Sequence, residues 1–233
     1  MTLQALPITD QLDWLPVHAQ QAAVACPDLP PGYEAYLKLL LPLGIDPSVP
    51  IASYSFAKRT VADLNARAAF WDTYQIQQGQ PVATRLQPIT YRELSTTLGL
   101  AYEATLDSAV IQRHYGEWPP HLGSSPALEE AFVRQVAQGL GPANPAYFYG
   151  SAEQGNGVWD AEGFRQDWFA RGQVADLVTE YQAQGSLPTY CFAPDHAWCL
   201  YQGEVNWVAL GCGAAVAQTF LNHATIEAFL LPT

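Results

Sequence analysis

The stretch that decides the fold is Thr189–Leu231, TYCFAPDHAWCLYQGEVNWVALGCGAAVAQTFLNHATIEAFLL. Tyr190, Cys191 and Phe192 have strand character, and Ala193-Pro194-Asp195-His196 reads as a turn, because proline presets one turn dihedral and Asp bonds its own backbone two residues on. Trp198-Cys199-Leu200-Tyr201 resumes an extended pattern. Gln202-Gly203-Glu204 is a hairpin turn and Val205 to Leu210 a further strand. Gly211 and Gly213 then let the chain swing into a helix. On that helix Val216, Ala217, Phe220, Leu221 and Ala224 share one face, with Gln218, Thr219 and Asn222 opposite. Ile226 to Leu231 is too short and too β-rich to continue the helix and reads as a last strand. The result is a C-terminal β-β-β-α-β unit. The fold class it predicts is α+β, with a mixed, largely antiparallel sheet and helices packed against it.

Working outward, the 233 residues suit a single α+β domain over 1–233, with any division into two lobes expected near residues 75–88, where the chain is Gln-rich and polar. Tyr33, Tyr36, Leu37 and Leu40 follow helical spacing and predict a helix over 34–41. Further helices are expected over 60–72, opened by Thr60 and Asp63, over 90–98 behind a Thr90/Glu93 capping box, over 128–140 behind Ser125-Pro126, and over 174–181. Residues 16–25 suggest one more short helix. Ala146 to Tyr149 reads as a strand, Gly150 to Gly157 as a loop, and 159–171 as aromatic-rich and partly helical.

Composition narrows the function. The formal charge is −12 with only 10 Lys and Arg residues, which argues against a nucleic-acid backbone or an anionic membrane as partner, since both need clustered cations. An acidic surface keeps a protein soluble and suits a basic protein partner. No apolar run reaches membrane-spanning length and the N-terminus carries no basic, apolar leader, so a cytoplasmic location is expected. The 4 cysteines are too few for a secreted disulfide scaffold of this length.

Chemistry-bearing residues cluster in the opening stretch. Cys191, His196, Cys199 and Cys212 are zinc-ligating types, but their spacing is not that of a zinc knuckle, and apolar neighbours suit thiols that fill core space. Cys212, between two glycines and just ahead of a helix, is the best-placed nucleophile, with His196 or His223 as its base. The glycines at 150, 155 and 157 follow a strand but lack the Lys and Ser/Thr of a phosphate loop. Asp160, Glu162 and Asp167 among Trp159, Phe164, Trp168 and Phe169 are the ingredients of a sugar site, and equally those of a solvated amphipathic face. No cofactor is expected.

Three segments carry a resemblance: Gly32-Tyr33-Glu34-Ala35-Tyr36-Leu37-Lys38-Leu39-Leu40; Trp118-Pro119-Pro120-His121-Leu122-Gly123; and Pro194-Asp195-His196-Ala197-Trp198-Cys199-Leu200 with the glycine turn at 211–213. In this order they resemble a group of uncharacterised bacterial proteins, a similarity covering about residue 30 to the end. That group has Arg at the position of His196 and Gly at that of Cys212, which weakens a catalytic role for either. Leu29-Pro30 through Leu40 is more loosely similar to the opening of the SUKH superfamily of bacterial immunity proteins, which implies toxin binding. The leading expectation is therefore a non-catalytic, immunity-like protein that binds a basic partner. The alternative is a thiol or zinc function centred on Cys191, His196, Cys199 and Cys212.

Overall fold

The structure is a computed structural model that describes residues 3–16, 26, 28–203 and 207–232. In chain order its elements are β1 (Gln4–Leu6), β2 (Ala35–Leu40), β3 (Leu43–Ile45), α1 (Val61–Tyr74), β4 (Gln87–Ile89), α2 (Tyr91–Leu98), α3 (Ser108–Tyr115), β5 (Leu122–Gly123), α4 (Pro126–Leu140), β6 (Pro145–Gly150), β7 (Val158–Trp159), β8 (Arg165–Gln166), β9 (Trp168–Gln173), α5 (Asp176–Gln184), β10 (Tyr190–Phe192), β11 (Trp198–Tyr201), β12 (Trp207–Cys212), α6 (Ala214–Leu221) and β13 (Ala228–Leu230). The class is α+β, as expected. The chain divides into two compact units, one of residues 1–41 and 130–233, the other of residues 42–129; the polar stretch 75–88 lies inside the second. The helix suggested for 16–25 falls almost wholly outside the described residues.

The first unit is built on an eight-stranded sheet in the order β1-β9-β6-β10-β11-β12-β2-β13. Every neighbouring pair is antiparallel. Its C-terminal part is the expected β10-β11-β12-α6-β13 unit. Since β12 and β13 flank β2 and both oppose it, they run parallel to each other, and α6 is the crossover between them.

Two neighbouring rows of side chains cross all eight strands and show how the sheet is covered. One row is Ala5, Ala170, Phe148, Cys191, Leu200, Leu210, Leu37 and Leu230; the next, on the opposite face, is Leu6, Phe169, Tyr149, Tyr190, Tyr201, Ala209, Lys38 and Phe229. The first face is largely aliphatic and lies under three helices. Phe132, Val133, Val136, Ala137 and Leu140 of α4, Leu177 and Tyr181 of α5, and Ala217 and Phe220 of α6 pack on it. Gly139 is where α4 meets α6: a Cβ there would come within 2.7 Å of the Phe220 ring, so only glycine admits this approach. The second face is aromatic and is closed by the N-terminal segment, through Leu12, Leu15, Cys26 and Leu29 with Trp14 and Tyr33. That segment is tied down by the Tyr36 hydroxyl donating to the Pro30 carbonyl at 3.0 Å and the Tyr190 hydroxyl to that of Asp28 at 2.9 Å. Lys38, itself buried, sets its ammonium 5.5 Å from the Trp207 ring.

Residues 34–41 are corrected from helix to strand. All six residues of β2 are buried, and a short apolar run covered on both faces satisfies helical spacing by accident. The expected helix over 128–140 does form, as α4, and lies beside α6 on the same face. Residues 159–171 are likewise strand and turn, forming β7, β8 and β9. Gly211 sits within β12 instead of ending it, and the Tyr33 ring, 2.3 Å from where a Cβ would stand, leaves room only for glycine there.

The second unit holds α1, α2, α3 and a small sheet in the order β4-β3-β5. Two of its helices start behind the expected Thr60/Asp63 and Thr90/Glu93 capping boxes, and α3, which is not among the expected elements, starts behind Asp107, whose carboxylate accepts from the Val110 N–H. One set of its charged groups is mutually paired. Glu117 accepts from Tyr54 at 2.9 Å and from Arg67 at 3.1 Å and pairs with Lys58, while Arg67 packs against the Tyr54 and Trp71 rings.

Candidate functional site

The thiols and histidines of the C-terminal stretch do not converge. Cys191 and Cys212 pack into the helix-covered face of the sheet and Cys199 into the aromatic face, as strand alternation requires. His196 is exposed in the turn ahead of β11, at φ 59°, with its ring stacked 3.9 Å from that of Trp14. Among the described residues no group of three or more His, Cys, Asp or Glu is arranged to hold a metal ion. Burial pushes the Cys191 and Cys199 thiols well above their ordinary value, and Cys26 upward too.

The reactivity expected of Cys212 rests on the helix N-terminus that follows it. The N-terminus of α6 is indeed an anion site, but it serves Glu34, whose carboxylate accepts the Ala214 N–H at 2.7 Å. The Cys212 thiol is pushed up to about 11, first by burial and then by that same carboxylate. His223 is also engaged. Its Nδ1 accepts the Thr225 and Ile226 N–H groups at 3.2 and 3.1 Å, shaping the turn between α6 and β13. Among the described residues no histidine or carboxylate is hydrogen-bonded to a cysteine as its base, and burial keeps the thiols protonated.

A second region has the opposite character. The loop after β6 is pinned from several sides. Asp167 accepts the Tyr149 hydroxyl at 2.6 Å and the Ala152 N–H at 2.7 Å. Thr189 Oγ1 accepts the Ser151 N–H at 2.9 Å and an Asn156 amide hydrogen at 3.3 Å. The Trp168 indole passes over Gly150, leaving no room for a Cβ, and donates to the Asn156 carbonyl at 2.8 Å. From this base the β7–β8 hairpin projects. Asp160 organises its turn, accepting the Glu162 and Phe164 N–H groups with one oxygen and the Gln166 amide with the other, and these bonds hold its carboxyl below the usual carboxylate range. Asp160 and Asp167 are thus architectural; neither is presented to a substrate as glycoside chemistry would require.

What the hairpin does present is apolar. Trp159 is 66% exposed and Phe164 64%, whereas Phe169, in the next strand, is buried. Arg165 lies 5.0 Å from the Trp159 ring and donates to the Gly155 carbonyl at 2.6 Å. Between this hairpin and the C-terminal end of α5 runs a cleft of about 130 Å³, whose walls include Asn156, Trp168, Glu180, Gln184 and Ser186. Glu180 makes no hydrogen bond or ion pair with a described residue, and its carboxyl is raised by burial and then by the neighbouring Asp176 charge.

The sequence names the residues of this region but not their arrangement, since a helical reading of 159–171 distributes the aromatics round a cylinder. The missed signal was Asp160-Ala161-Glu162-Gly163, an Asx turn closed by a glycine at φ 84° between two aromatic residues. Charge follows the same division. The unit that carries the hairpin holds 14 of the 22 acidic residues but only four of the 10 basic ones, Lys38, Arg134, Arg165 and Arg171, giving it −10 against −2 for the other. Among the described residues no helix is long and apolar enough to cross a membrane. Comparison with protein-family models, with curated proteins and with solved structures returned no match.

Proposed function

We propose that the protein is a non-catalytic, immunity-like binding protein that engages a basic protein partner through the β7–β8 hairpin. One observation carries this reading: two large aromatic side chains, Trp159 and Phe164, stand exposed on a hairpin whose base is fixed by hydrogen bonds. Exposed aromatics on a rigid support suit the centre of a protein interface, because they bury much apolar area and lose little conformational freedom on binding. Asp160 and Glu162 lie in the turn between these aromatics, and the −10 of the surrounding unit steers a cationic protein toward them.

The test is photo-crosslinking. A benzophenone amino acid is placed at Phe164 and, in a second protein, at the exposed position Gln218 on α6. The reading expects a discrete adduct to a basic protein from position 164 alone, diminishing as salt is raised. Equal adducts from both positions, or none from position 164 at low salt in cells that contain the natural partner, would overturn it.

A further inference from the structure

We propose that the cleft between the C-terminal end of α5 and the β7–β8 hairpin receives a cationic side chain, with Glu180 as its counter-ion. This rests on the partner-binding reading and names the chemistry of its second contact.

Four features of the cleft agree in sign. Glu180 is a half-buried carboxylate with no hydrogen-bond or ion-pair partner among the described residues, which is costly unless a cation meets it. Asp176, one turn earlier on α5, adds a second negative charge and cannot act as that partner. Gln184 and Ser186 line the cleft on either side of Gly185, the residue that terminates α5, so the negative end of the helix dipole borders the same space. The fourth feature is the pair of indoles, Trp159 and Trp168, whose faces attract cations.

Arg165, on the hairpin wall, does not neutralise Glu180. Its guanidinium is held by the Gly155 carbonyl and the Trp159 ring, and no ion pair joins the two residues. It shows instead how this site treats a cation, with an indole against its face and a carbonyl at its edge. An arginine or lysine of the partner would bring the complementary charge to Glu180. The cleft, at about 130 Å³, suits one side chain and not a folded segment.

The experiment titrates the intact protein with three capped tripeptides, Gly-Arg-Gly, Gly-Lys-Gly and Gly-citrulline-Gly, following the indole N–H signals of Trp159 and Trp168 by NMR. The expected result is saturable movement of both signals with a cationic peptide and none with citrulline, which keeps the shape of arginine without its charge. The arginine and lysine arms decide which cation the cleft prefers. Glu180→Gln, at a helix surface and conservative in size, should weaken the cationic peptide roughly tenfold, the effect of removing one charge from a partly desolvated pair. Equal response to citrulline, unchanged affinity in Glu180→Gln, or no movement with any peptide would overturn the proposal. Its failure is separable from failure of the partner-binding reading. If crosslinking at position 164 still captures a basic protein while Glu180→Gln binds that protein as tightly as the wild type, the hairpin docks it without the cleft.

Discussion

The same residue types lead opposite lives in two parts of the first unit. Across the sheet, Phe169, Tyr149, Tyr190 and Tyr201 stand side by side on one face, each nearly or wholly removed from water. A few residues along the chain from Phe169, Trp159 and Phe164 stand in solvent on a two-stranded hairpin. The sheet aromatics are exposed to nothing because a separate segment closes over them. The hairpin aromatics have no such cover, yet the loop beneath them spends Asp160, Asp167, Thr189 and the Trp168 indole on holding them in place. Aromatic surface in the first place stabilises the fold; in the second it is available for a contact outside it.

That contrast can be broken or sharpened by substitution. The largest effect belongs to the packed side. Phe220 is fully buried where α6 meets Gly139 of α4, and Phe220→Ala should cost about 3–5 kcal/mol in a denaturant titration. Gln218→Ala, on the exposed face of the same helix, should change stability by less than about 0.5 kcal/mol. Comparable losses from the two would mean that α6 packs by another face.

The second unit offers a buried polar ring as a further contrast. His121 is 5% exposed, its Nδ1 has no hydrogen-bond partner, and burial pushes its pKa from 6.5 down to about 4. The folded state therefore holds this proton less well than the unfolded one. Above pH 6.5 both are neutral and stability is unaffected; as pH falls from there toward 4, stability should drop by roughly 3 kcal/mol in total. His121→Gln should flatten that slope in urea titrations run between pH 7 and 4, and an unchanged slope would show that other groups set it.

A smaller effect, the absence of a reaction, tests the sheet thiols. Cys26, Cys191, Cys199 and Cys212 are buried, with burial raising each. A thiol-specific chromogenic reagent at pH 7 should find them silent in the native protein and titrate all four after unfolding. Reaction of Cys212 at the rate of free cysteine would restore the nucleophile that its surroundings argue against.

How much of this was legible in the sequence depended on whether a signal was local. The C-terminal unit was readable because each turn has its own chemistry, Pro194-Asp195 in one and Gly213 in another, and two helix starts were readable from Thr60 and Thr90. β2 was not, because AYLKLL is apolar in a way that helical and strand periods both accept; only the covering of both faces separates them. The candidate site divided similarly. Trp159, Phe164 and Asp160 were visible as residues, but the exposure of the first two depends on a turn read as part of a helix. Cys212 looked activated because a helix follows it, and only the fold brings Glu34, from 178 residues earlier, to the place a thiolate would need.

The most direct measurement is to remove both hairpin aromatics and read stability and binding on the same protein. Trp159→Ala with Phe164→Ala should leave the denaturation midpoint close to wild type, within about 0.5 kcal/mol for each exposed side chain, and should weaken the crosslinked partner by more than about tenfold, as loss of a central aromatic pair does. Full retention of binding, or destabilisation comparable to that of Phe220→Ala, would contradict the account, the first by placing the contact elsewhere and the second by making these aromatics part of the core.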